Sequence, residues 1–496
     1  MSEGAAATRT RAGFYLDSVA LMRISREVEG LAGVSAASLM MASPSNKELL
    51  RDAGLLDAAS DGAGPNDLVI AIRAEGGDAL HAAFEAAEAA LAGRSGGGGQ
   101  RQGWNPRSLE TALRALPAAN LAIVSVPGEF AAREARRALE RGLNVMLFSD
   151  NVAIGDEVAL KALARERGLL MMGPDCGTAI IAGAPIGFAN AVPRGDIGLI
   201  AASGTGLQEV ACLIARAGGG ISHGIGVGGR DLGAAVGGAM TLAALDALDC
   251  DPATRRIVLI SKPPDPGTAR RIAARIADSD KRFTLCCIGM AKMDLPPNAA
   301  QATTLRAAAE DARAGAGAPE PARTLREALG RPHRKGGALR GLYSGGSLCA
   351  EAQAVLTDAG IGFASNVPIP GAGDARSGHS LIDLGADEYT RGRPHPMIEP
   401  AVRDTPLAAA LADPAVAVVL ADVVLGHGAH PDPAGRLAAV LAAHEGEAPV
   451  VIASVCGTEA DPQIRSDQVA ALREAGIVVA ESNAGAAETA AALLAG

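Results

Sequence analysis

Residues 197–210 have the sequence IGLIAASGTGLQEV, and this stretch decides the fold of the chain. A short apolar run ends in the small residues Ser203, Gly204, Thr205 and Gly206, and a segment with helical spacing follows them. This pattern predicts a strand that is buried on both faces, a tight turn, and a helix that begins at the turn. Such a unit is typical of parallel α/β sheets.

The same unit recurs through two long blocks of the chain, residues 105–313 and 338–496. Helical patterns such as residues 129–141 and 206–217 alternate with apolar runs. Strands are predicted at residues 121–126, 144–148, 169–172, 197–201, 225–227, 256–260, 284–288, 338–343, 416–421, 450–454 and 477–480. We therefore predict tandem doubly wound α/β domains with parallel sheets, two of which meet near residue 190.

The first block, residues 12–92, has a different pattern. Strands are predicted at residues 13–19, 34–41 and 67–72, and helices at residues 20–31, 45–54 and 78–91. This order predicts a small α+β domain of ferredoxin-like or ACT-like type. Residues 92–103 and 314–337 are rich in glycine, proline and polar residues, which predicts flexible linkers.

Composition excludes several classes of protein. The chain has 496 residues and a formal net charge of −10, and 48% of its residues are apolar. Its length predicts about three or four domains. The acidic charge and the scarce aromatic residues (7 Phe, 3 Tyr and 1 Trp) argue against nucleic-acid binding. No apolar run approaches the roughly 20 residues that span a membrane, so no membrane association is expected.

The cysteines indicate a reducing compartment. The 7 Cys are odd in number and form no C-x-x-C motif, which argues against a disulfide framework or a zinc ribbon. The first residues lack an apolar signal core, and we expect a cytoplasmic protein with reduced thiols. Cys176, Cys349 and Cys456 each lie in a candidate turn, yet a small buried apolar side chain is the favoured interpretation of each.

Candidate sites are the turns that follow strands, because open α/β sheets bind ligands at the carboxyl ends of their strands. The motif SGTG frees backbone N–H groups at a helix start, where Ser203, Gly204, Thr205 and Gly206 would form an anion cradle. An ordinary capped turn is an equally good interpretation of this motif.

A second candidate turn is GVGGRD at residues 226–231. Gly229 permits close backbone approach, Arg230 is a candidate for binding a carboxylate or phosphate, and Asp231 is a candidate for orienting it. Taken alone, this turn is more simply explained by a surface ion pair.

A third turn and a polar cluster are candidates for substrate contacts. The motif YSGGSL forms a junction between a strand and a helix with the residues Ser344, Gly345, Gly346 and Ser347. Ser347 has the simpler alternative role of a helix N-cap. Thr458 and Glu459 follow another strand in the motif GTEAD, where polar residues crowd the strand end.

The fourth turn, residues 425–433, has the sequence LGHGAHPDP and contains Gly426, His427, Gly428 and His430. A histidine here can donate to an anion or act as an acid or base near neutral pH. Because no carboxylate or third histidine stands at diagnostic spacing, anion binding is favoured over a metal pair. We predict no metal site.

These motifs together resemble a known family. GPDCGT, IGLIAASGTGLQEV, GIGVGGRD and RRIVLI resemble the α subunit of succinyl-CoA synthetase and its NDP-forming acyl-CoA synthetase relatives. Residues 341–348, 379–397 and 421–433 resemble the carboxy-terminal domain of the β subunit. Both parts on one chain are similar to the FdrA group of acyl-CoA-synthetase-like proteins, which the amino-terminal block also resembles.

The resemblance implies both domains and a reaction. Residues 12–92 would form a small α+β domain, and residues 105–190 a truncated Rossmann-like (CoA-binding-like) domain. Two flavodoxin-like domains would follow, one similar to the α subunit at residues 191–313 and one similar to the β-subunit carboxy-terminal domain at residues 338–496. The implied function is a carbamoyltransferase component in purine (allantoin) catabolism that converts oxalurate and phosphate to oxamate and carbamoyl phosphate. Its partners would be a small anionic substrate and either nearby-encoded subunits or a second copy.

The chain departs from the synthetase pattern where that family carries its phosphohistidine. The matching stretch, residues 286–295, contains no histidine, and none occurs between His223 and His333. Lys262 stands where the family has a glutamate beside the phosphohistidine, and its charge favours an anion. The sequence shows neither the glycine loop of the CoA-binding domain nor an ATP-grasp domain. We therefore expect no phosphohistidine and no required cofactor, with CoA a disfavoured ligand.

In the synthetases two helix starts face a shared phosphate, and the matching turns here are residues 203–206 and 426–428. We expect these turns to hold phosphate or carbamoyl phosphate together with Lys262, Arg230 and His427, to which we assign catalysis. Two alternatives stay open. One is an acyl-CoA ligase-like or CoA-binding enzyme, and the other is a non-catalytic protein that binds an effector.

Overall fold

The computed structural model describes residues 5–14, 16, 18–95, 106, 108–290, 292–313, 321–330, 336–372, 378–390 and 394–495. The chain divides into two compact units, residues 1–118 with 391–394 and residues 119–390 with 395–496. Each unit has its own sheets and its own apolar core. Among the described residues, no helix is long and apolar enough to cross a lipid bilayer.

The first unit is a small α+β domain, as the sequence predicts. Its strands are β1 Ala5–Arg11, β2 Val34–Met41 and β3 Leu68–Ala74, and its helices are α1 Ser18–Glu29, α2 Pro44–Asp52, α3 Ala58–Asp61, α4 Gly77–Ser95 and α5 Leu109–Ala115. The strands form an antiparallel sheet in the order β1-β3-β2. The buried residues Ile70 and Ile72 of the central strand share a core with Leu21 of α1 and Phe84 of α4.

Two boundaries in this unit differ from the sequence-based prediction. The first strand is Ala5–Arg11 and not residues 13–19, because the chain already enters α1 at Ser18. Helix α2 begins at Pro44 and not at residue 45, because the Ser43 hydroxyl accepts the Asn46 N–H at 3.3 Å and proline suits the first helical position. Residues 96–103 of the predicted first linker lie outside the described residues.

The described part of the second unit contains a small parallel sheet that is formed by residues 121–172. Its strands, in spatial order, are β4 Leu121–Val124, β5 Asn144–Leu147 and β6 Met171–Met172, with helices α6 Gly128–Glu140 and α7 Ile154–Glu166. Both strand pairs are parallel, as the continuous apolar runs predict.

A larger sheet follows. Its elements in chain order are β7 Thr178–Ile181, β8 Ala184–Gly187, β9 Arg194–Ala201, α8 Gly204–Arg216, β10 Ile221–Gly226, α9 Ala239–Cys250, β11 Arg256–Ser261, α10 Pro266–Ala277, β12 Arg282–Cys287, β13 Ala299–Ala302 and α11 Leu305–Ala312. The spatial order is β13-β12-β11-β9-β10-β7-β8. Strands β9 to β13 are parallel, which confirms the doubly wound prediction, whereas β7 and β8 form an antiparallel hairpin that the prediction missed.

The last sheet is parallel throughout its described strands, in the order β15-β16-β14-β17-β18-β19. Its elements are α12 Pro321–Leu329, β14 Ala338–Tyr343, α13 Gly346–Asp358, β15 Ala364–Ser365, β16 Ser380–Asp383, α14 Asp387–Thr390, a 3-10 turn Pro400–Arg403, α15 Asp404–Ala412, β17 Val416–Val424, α16 Pro433–Ala442, β18 Val450–Cys456, α17 Arg465–Glu474, β19 Val478–Ala480 and α18 Asn483–Ala495. Helix α12 interrupts the predicted second linker, of which residues 314–320 and 331–335 lie outside the described residues.

One apolar core joins the two larger sheets. Leu207 and Ile214 of α8 belong to the same buried cluster as Leu348 and Val355 of α13, together with strand residues of both sheets. Burial of apolar side chains at about 25 cal/mol per Å² favours holding these two helices together. The carboxyl ends of β9 and β14, from which the helices start, are thereby brought together.

A buried carboxylate also connects the two sheets. Glu351 of α13 is completely buried, and its Oε1 accepts the Leu305 N–H at 2.6 Å at the start of α11. Its Oε2 accepts the Asn483 side-chain N–H at 2.8 Å, while the Asn483 backbone N–H donates to Glu209 at 3.3 Å. Burial and the nearby Glu209 carboxylate raise the pKa of Glu351 to about 7.

This buried carboxylate predicts a pH dependence of stability. Folding raises the pKa of Glu351 from 4.5 to about 7, so the folded state holds the proton more tightly than the unfolded state. The contribution of protonated Glu351 to the free energy of unfolding is fully present below the unfolded pKa and is lost as the pH rises through the folded pKa. In wild type the free energy of unfolding should fall by up to about 3 kcal/mol between the unfolded and the folded pKa of Glu351, and Glu351→Gln should remove this fall. Urea denaturation at a series of pH values between 4.5 and about 7 measures it. The exposed Glu166→Gln is the control, and equal slopes in both variants would contradict the prediction.

Candidate functional site

Two helix starts meet where β9 and β14 end. Helix α8 begins at Gly204, directly after its cap Ser203, and α13 begins at Gly346. The hydroxyls of Ser203 and Ser347 hydrogen-bond to each other. The Ser347 N–H also donates to Thr205 Oγ1 at 3.4 Å. The structure therefore brings together the predicted motifs SGTG and SGGS.

Glycines in both motifs permit this close approach. A Cβ on Gly345 would lie 3.0 Å from Thr205 Cγ2, a side-chain atom of the other motif. A Cβ on Gly206 would lie 2.9 Å from Ser203 Oγ, which instead accepts the Gly206 N–H at 3.0 Å. Larger residues at these two positions would push the helix starts apart or disturb the cap.

A buried ion pair fixes the SGGS turn. The two carboxylate oxygens of Asp422 accept the N–H groups of Ser344 and Gly345, each at 2.7 Å. Arg403 donates to the Asp422 carboxylate at 2.6 Å and also to the Ser344 hydroxyl. Sequence reasoning did not select Arg403 or Asp422. The available signal was an acidic residue in the apolar run VAVVLADVVL, where a buried charge requires a partner.

Backbone donors remain available at this meeting point. Within the described residues, the N–H groups of Gly204, Thr205, Gly346 and Leu348 have no recorded acceptor. Gly204 is exposed and Thr205 and Gly346 are partly exposed, so a ligand can reach these three residues, whereas Leu348 is buried. Free N–H groups and the partial positive charge of helix starts suit an anion such as phosphate or a carboxylate.

Lys262 and Gly229 border the helix starts. Lys262 follows β11, is exposed, and makes no recorded hydrogen bond or ion pair with the described residues. Its charge lowers the pKa of both Asp383 and the Cys349 thiol against the larger effect of burial, so it lies within electrostatic range of α13. A Cβ on Gly229 would lie 3.9 Å from the carbonyl oxygen of Ala202, next to the SGTG motif.

Asp383 is a functional candidate that sequence reasoning missed. It ends β16 and is 8% exposed. Its Oδ1 accepts the Gly385 N–H at 2.9 Å, and its Oδ2 lies 2.7 Å from the position of a Cβ on Gly346, the first residue of α13. The available signal was an acidic residue at the end of the strand SLID, before a glycine.

Arg230 and Asp231 belong to a buried charge network. Lys161 is completely buried and donates to Asp231 at 2.9 Å and to Glu157 at 2.8 Å. Arg230 lies 2.8 Å from the other Glu157 oxygen. Asp231 also accepts the Thr241 N–H at 2.8 Å near the start of α9. Because its oxygens are satisfied inside the protein, Asp231 cannot orient Arg230 toward a substrate, and the partner of Arg230 is Glu157.

The turn at residues 426–428 does not begin a helix, contrary to the prediction. The His427 N–H donates to the Ala189 carbonyl oxygen at 2.9 Å, and the His427 side chain is exposed. Helix α16 begins only at Pro433, where the Asp432 carboxylate caps the first turn. The expectation that a helix begins at residues 426–428 is therefore wrong, and the helix start that contacts the SGTG motif belongs to α13.

Thr458 and Glu459 make hydrogen bonds within the protein. The Thr458 hydroxyl donates to the Ala191 carbonyl oxygen at 2.7 Å. Asp461 accepts the Ala191 N–H at 2.7 Å and the Thr458 N–H at 2.8 Å. Glu459 is exposed and accepts the Ser466 N–H at 3.3 Å. The Thr458 contacts tie the end of β18 to the segment before β9.

The three cysteines in candidate turns have buried thiols, and the described residues contain no cluster of metal ligands. Cys176, Cys349 and Cys456 are all buried, and burial raises the pKa of the Cys176 thiol to about 12. Such thiols are protonated and poorly nucleophilic. In the part of the chain that the structure describes, no group of three or more His, Cys, Asp or Glu side chains could hold a metal ion.

Two domain families match the chain. One is described as AllF, heavy metal-associated domain, and covers residues 4–106, and the other is described as CoA-ligase and covers residues 342–493. The first match does not extend to metal ligands, because residues 4–106 contain no cysteine and have His81 as their one histidine. Residues 4–106 therefore offer no thiolate, so this domain does not fit a cysteine-ligated heavy-metal site. The second match includes Ser347, Asp383 and Asp422.

Comparison with whole proteins gives a full-length relative. The chain is 40% identical over 491 residues to the uncharacterized protein YahF of Escherichia coli (strain K12), and the aligned region covers 95% of each chain. ADP-forming succinate–CoA ligase subunit alpha 2 of Archaeoglobus fulgidus is 26% identical over 159 residues, which are 31% of this chain and 54% of that subunit. The solved structure of dinucleotide-forming acetyl-coenzyme A synthetase 1 of Ca. Korarchaeum cryptofilum with phosphate and ADP is 18% identical, covers 75% of this chain and 82% of that chain, and has a TM-score of 0.30.

The buried ion pair under the SGGS turn gives a prediction for stability. Asp422→Ala removes the acceptor of two backbone N–H groups and leaves the buried Arg403 guanidinium without its carboxylate. We expect the free energy of unfolding, measured by urea denaturation, to fall by about 3–5 kcal/mol. The control Asp61→Ala breaks an exposed pair with Arg51 and should cost less than about 1 kcal/mol. Similar small losses in both variants would contradict the prediction.

Proposed function

The chain belongs to the protein family of Escherichia coli YahF, and from this premise we propose that it is an acyl-CoA-ligase-like enzyme component that handles an acyl phosphate. The phosphoryl group would lie where α8 and α13 begin. In the proposed reaction an acyl group passes between phosphate and a second acceptor. The CoA-ligase match over residues 342–493 supports this class of enzyme.

The meeting of the two helix starts is the observation that carries the proposal. Ser203 of one half and Ser347 of the other hydrogen-bond to each other, and N–H groups next to both serines have no recorded acceptor among the described residues. Two helix starts at one point combine their partial positive charges, which an anion would stabilise. A dianionic phosphoryl group matches this charge better than a neutral ligand does.

The geometry also suits transfer of the acyl group. As the bond between the acyl carbon and the phosphate oxygen breaks, negative charge grows on the leaving phosphate. Fixed N–H donors that point at that charge lower the barrier, because they need no reorganisation during the reaction. Lys262, which is exposed beside the site, would add a positive charge that can reach a phosphate oxygen. This mechanism requires no nucleophile from the protein.

CoA is the acceptor that the relatives favour. The matched domain is described as CoA-ligase, and the matched Archaeoglobus fulgidus subunit is named for succinate and CoA. A thiol that attacks the acyl carbon would release phosphate and give a thioester. CoA binding and the identity of the acyl group are parts of this proposal, as is a requirement for other subunits or a second copy of the chain.

A carbamoyl group is the second candidate for the transferred group. The observation in its favour is chemical: no histidine occurs between His223 and His333, so that stretch offers no imidazole to carry a phosphoryl group. Oxalurate and phosphate could then exchange a carbamoyl group directly, with oxamate as the other product and carbamoyl phosphate held at the helix starts. This reaction requires no nucleotide and no CoA.

Phosphate binding tests the proposed site. By isothermal titration calorimetry we expect wild-type protein to bind inorganic phosphate and Lys262→Ala to bind it about tenfold more weakly, since a charge-assisted contact is lost. His427→Ala should bind like wild type, because no helix begins at residues 426–428 and the His427 N–H already donates to the Ala189 carbonyl oxygen. The opposite pattern, a loss in His427→Ala and none in Lys262→Ala, would contradict the assignment.

Ligand competition separates the two acceptors. If the protein is ligase-like, CoA and an acyl phosphate should bind together, and phosphate should not displace CoA. If it is a carbamoyltransferase component, carbamoyl phosphate should displace phosphate, and CoA should give no binding heat. Protein that binds none of these probes would rule out both forms of the proposal and would favour a non-catalytic role.

A further inference from the structure

We propose that Asp383 is a proton-donating residue of this site and binds the anion in its protonated form. The inference rests on the proposed function, because it needs an anion at the helix starts. It adds a general acid that was not among the predicted site residues. Its position, its missing partner and its charged surroundings carry the argument.

The position of Asp383 places a carboxyl oxygen against the start of α13. A Cβ on Gly346 would lie 2.7 Å from Asp383 Oδ2, so this oxygen faces the first residue of the helix. Gly346 is next to Ser347, which contacts the start of α8. The carboxyl group thus lies beside the proposed anion and is not remote from it.

One oxygen of Asp383 is held and the other is free. Oδ1 accepts the Gly385 N–H at 2.9 Å, which fixes the orientation of the carboxyl group. Oδ2 accepts no recorded hydrogen bond from the described residues, although the side chain is only 8% exposed. Oδ2 is not one of the fully buried side-chain atoms that lack a partner, so it stays accessible to a ligand, and a carboxylic acid there can donate to a bound anion.

The charges around Asp383 favour its neutral form. Asp422 of β17 and Glu388 of α14 repel its negative charge, whereas the Gly385 N–H and Lys262 favour the charged form. The Cys349 thiol of α13 also lies within electrostatic range of Asp383. The His395 imidazole is a further neighbour, because a Cβ on Gly385 would lie 2.6 Å from His395 Nε2 and 3.1 Å from Asp383 Oδ1.

Burial is the largest cause that raises the pKa of Asp383, which reaches about 6. Burial also lowers the pKa of His395 to about 4, so the imidazole stays neutral when Asp383 titrates. A carboxyl group that titrates near neutral pH can both give and regain a proton during turnover. An additional anion at the helix starts would raise this pKa further.

The proposed step balances. The acceptor attacks the acyl carbon, the bond from that carbon to the phosphate oxygen breaks, and its electron pair stays on the oxygen. The Oδ2 proton of Asp383 moves to this oxygen and gives hydrogen phosphate. The resulting carboxylate is stabilised by the Gly385 N–H and by Lys262, and it regains a proton from the S–H or N–H group of the acceptor.

Sulfate is the probe that tests this inference, because it does not titrate in the relevant range. Isothermal titration calorimetry of the full chain should show sulfate binding that is at least about tenfold weaker at pH 8 than at pH 5, since the ionised Asp383 repels the anion. Near pH 7, binding in two buffers with different ionisation enthalpies should reveal proton uptake by the protein. Both effects follow from linkage between the anion and the proton.

Asp383→Asn should remove both effects and bind sulfate more tightly than wild type at pH 8. A purely structural role for Asp383 would give no gain in affinity. Asp280→Asn, an exposed carboxylate on another surface, is the control and should behave as wild type. If the Asn variant does not fold, as judged by circular dichroism, Asp383→Ser replaces it with the same expectation.

The outcomes separate this inference from the proposed function. Sulfate that binds to wild type with no proton uptake, or binds with the same pH dependence in Asp383→Asn, would overturn the role of Asp383 and leave the anion site intact. An absence of sulfate binding at every pH in wild type and variants would overturn the anion site itself, and the inference with it.

Discussion

The contact between the Ser203 and Ser347 hydroxyls holds together two helix ends of like partial charge, and the functional interpretation depends on it. Each helix start carries about half of a positive elementary charge, so their approach is unfavourable until a negative group lies between them. The shared apolar core and the Asp422–Arg403 pair hold the two starts in place without such a group. The protein therefore spends folding free energy on an arrangement that an anion completes.

Much of the fold could be predicted because parallel strands and helix starts have local signals. Apolar runs such as residues 416–421 and the motif SGTG give strands and a helix start without tertiary information. The hairpin β7–β8 was missed because its strands are short and lack alternation, and the first strand was misplaced because AAATRTR is not an apolar run. These elements are stabilised by neighbours that no local pattern identifies.

The site was only partly predictable, since the second helix start is chosen by packing. His427 was predicted as a site residue because a histidine can act near neutral pH, but the helix after that turn begins only at Pro433 and is capped by Asp432. Asp422 and Asp383 were visible as acidic residues of apolar strands, yet Arg403 and Ser344, which bind Asp422, lie 19 and 78 residues away from it. The amino-terminal domain shows the same limit: its fold matches a heavy metal-associated family, while its residues lack the cysteines for such a metal.

The location of a bound tetrahedral anion decides whether the two helix starts form an anion site. Crystals of the full chain grown with tungstate, a heavy-atom analogue of phosphate, would show the anion by its anomalous scattering. We expect a peak within hydrogen-bonding distance of the N–H groups of Gly204 and Gly346, close to Ser347 and Lys262. A peak at residues 426–428 with none at the two helix starts would contradict it.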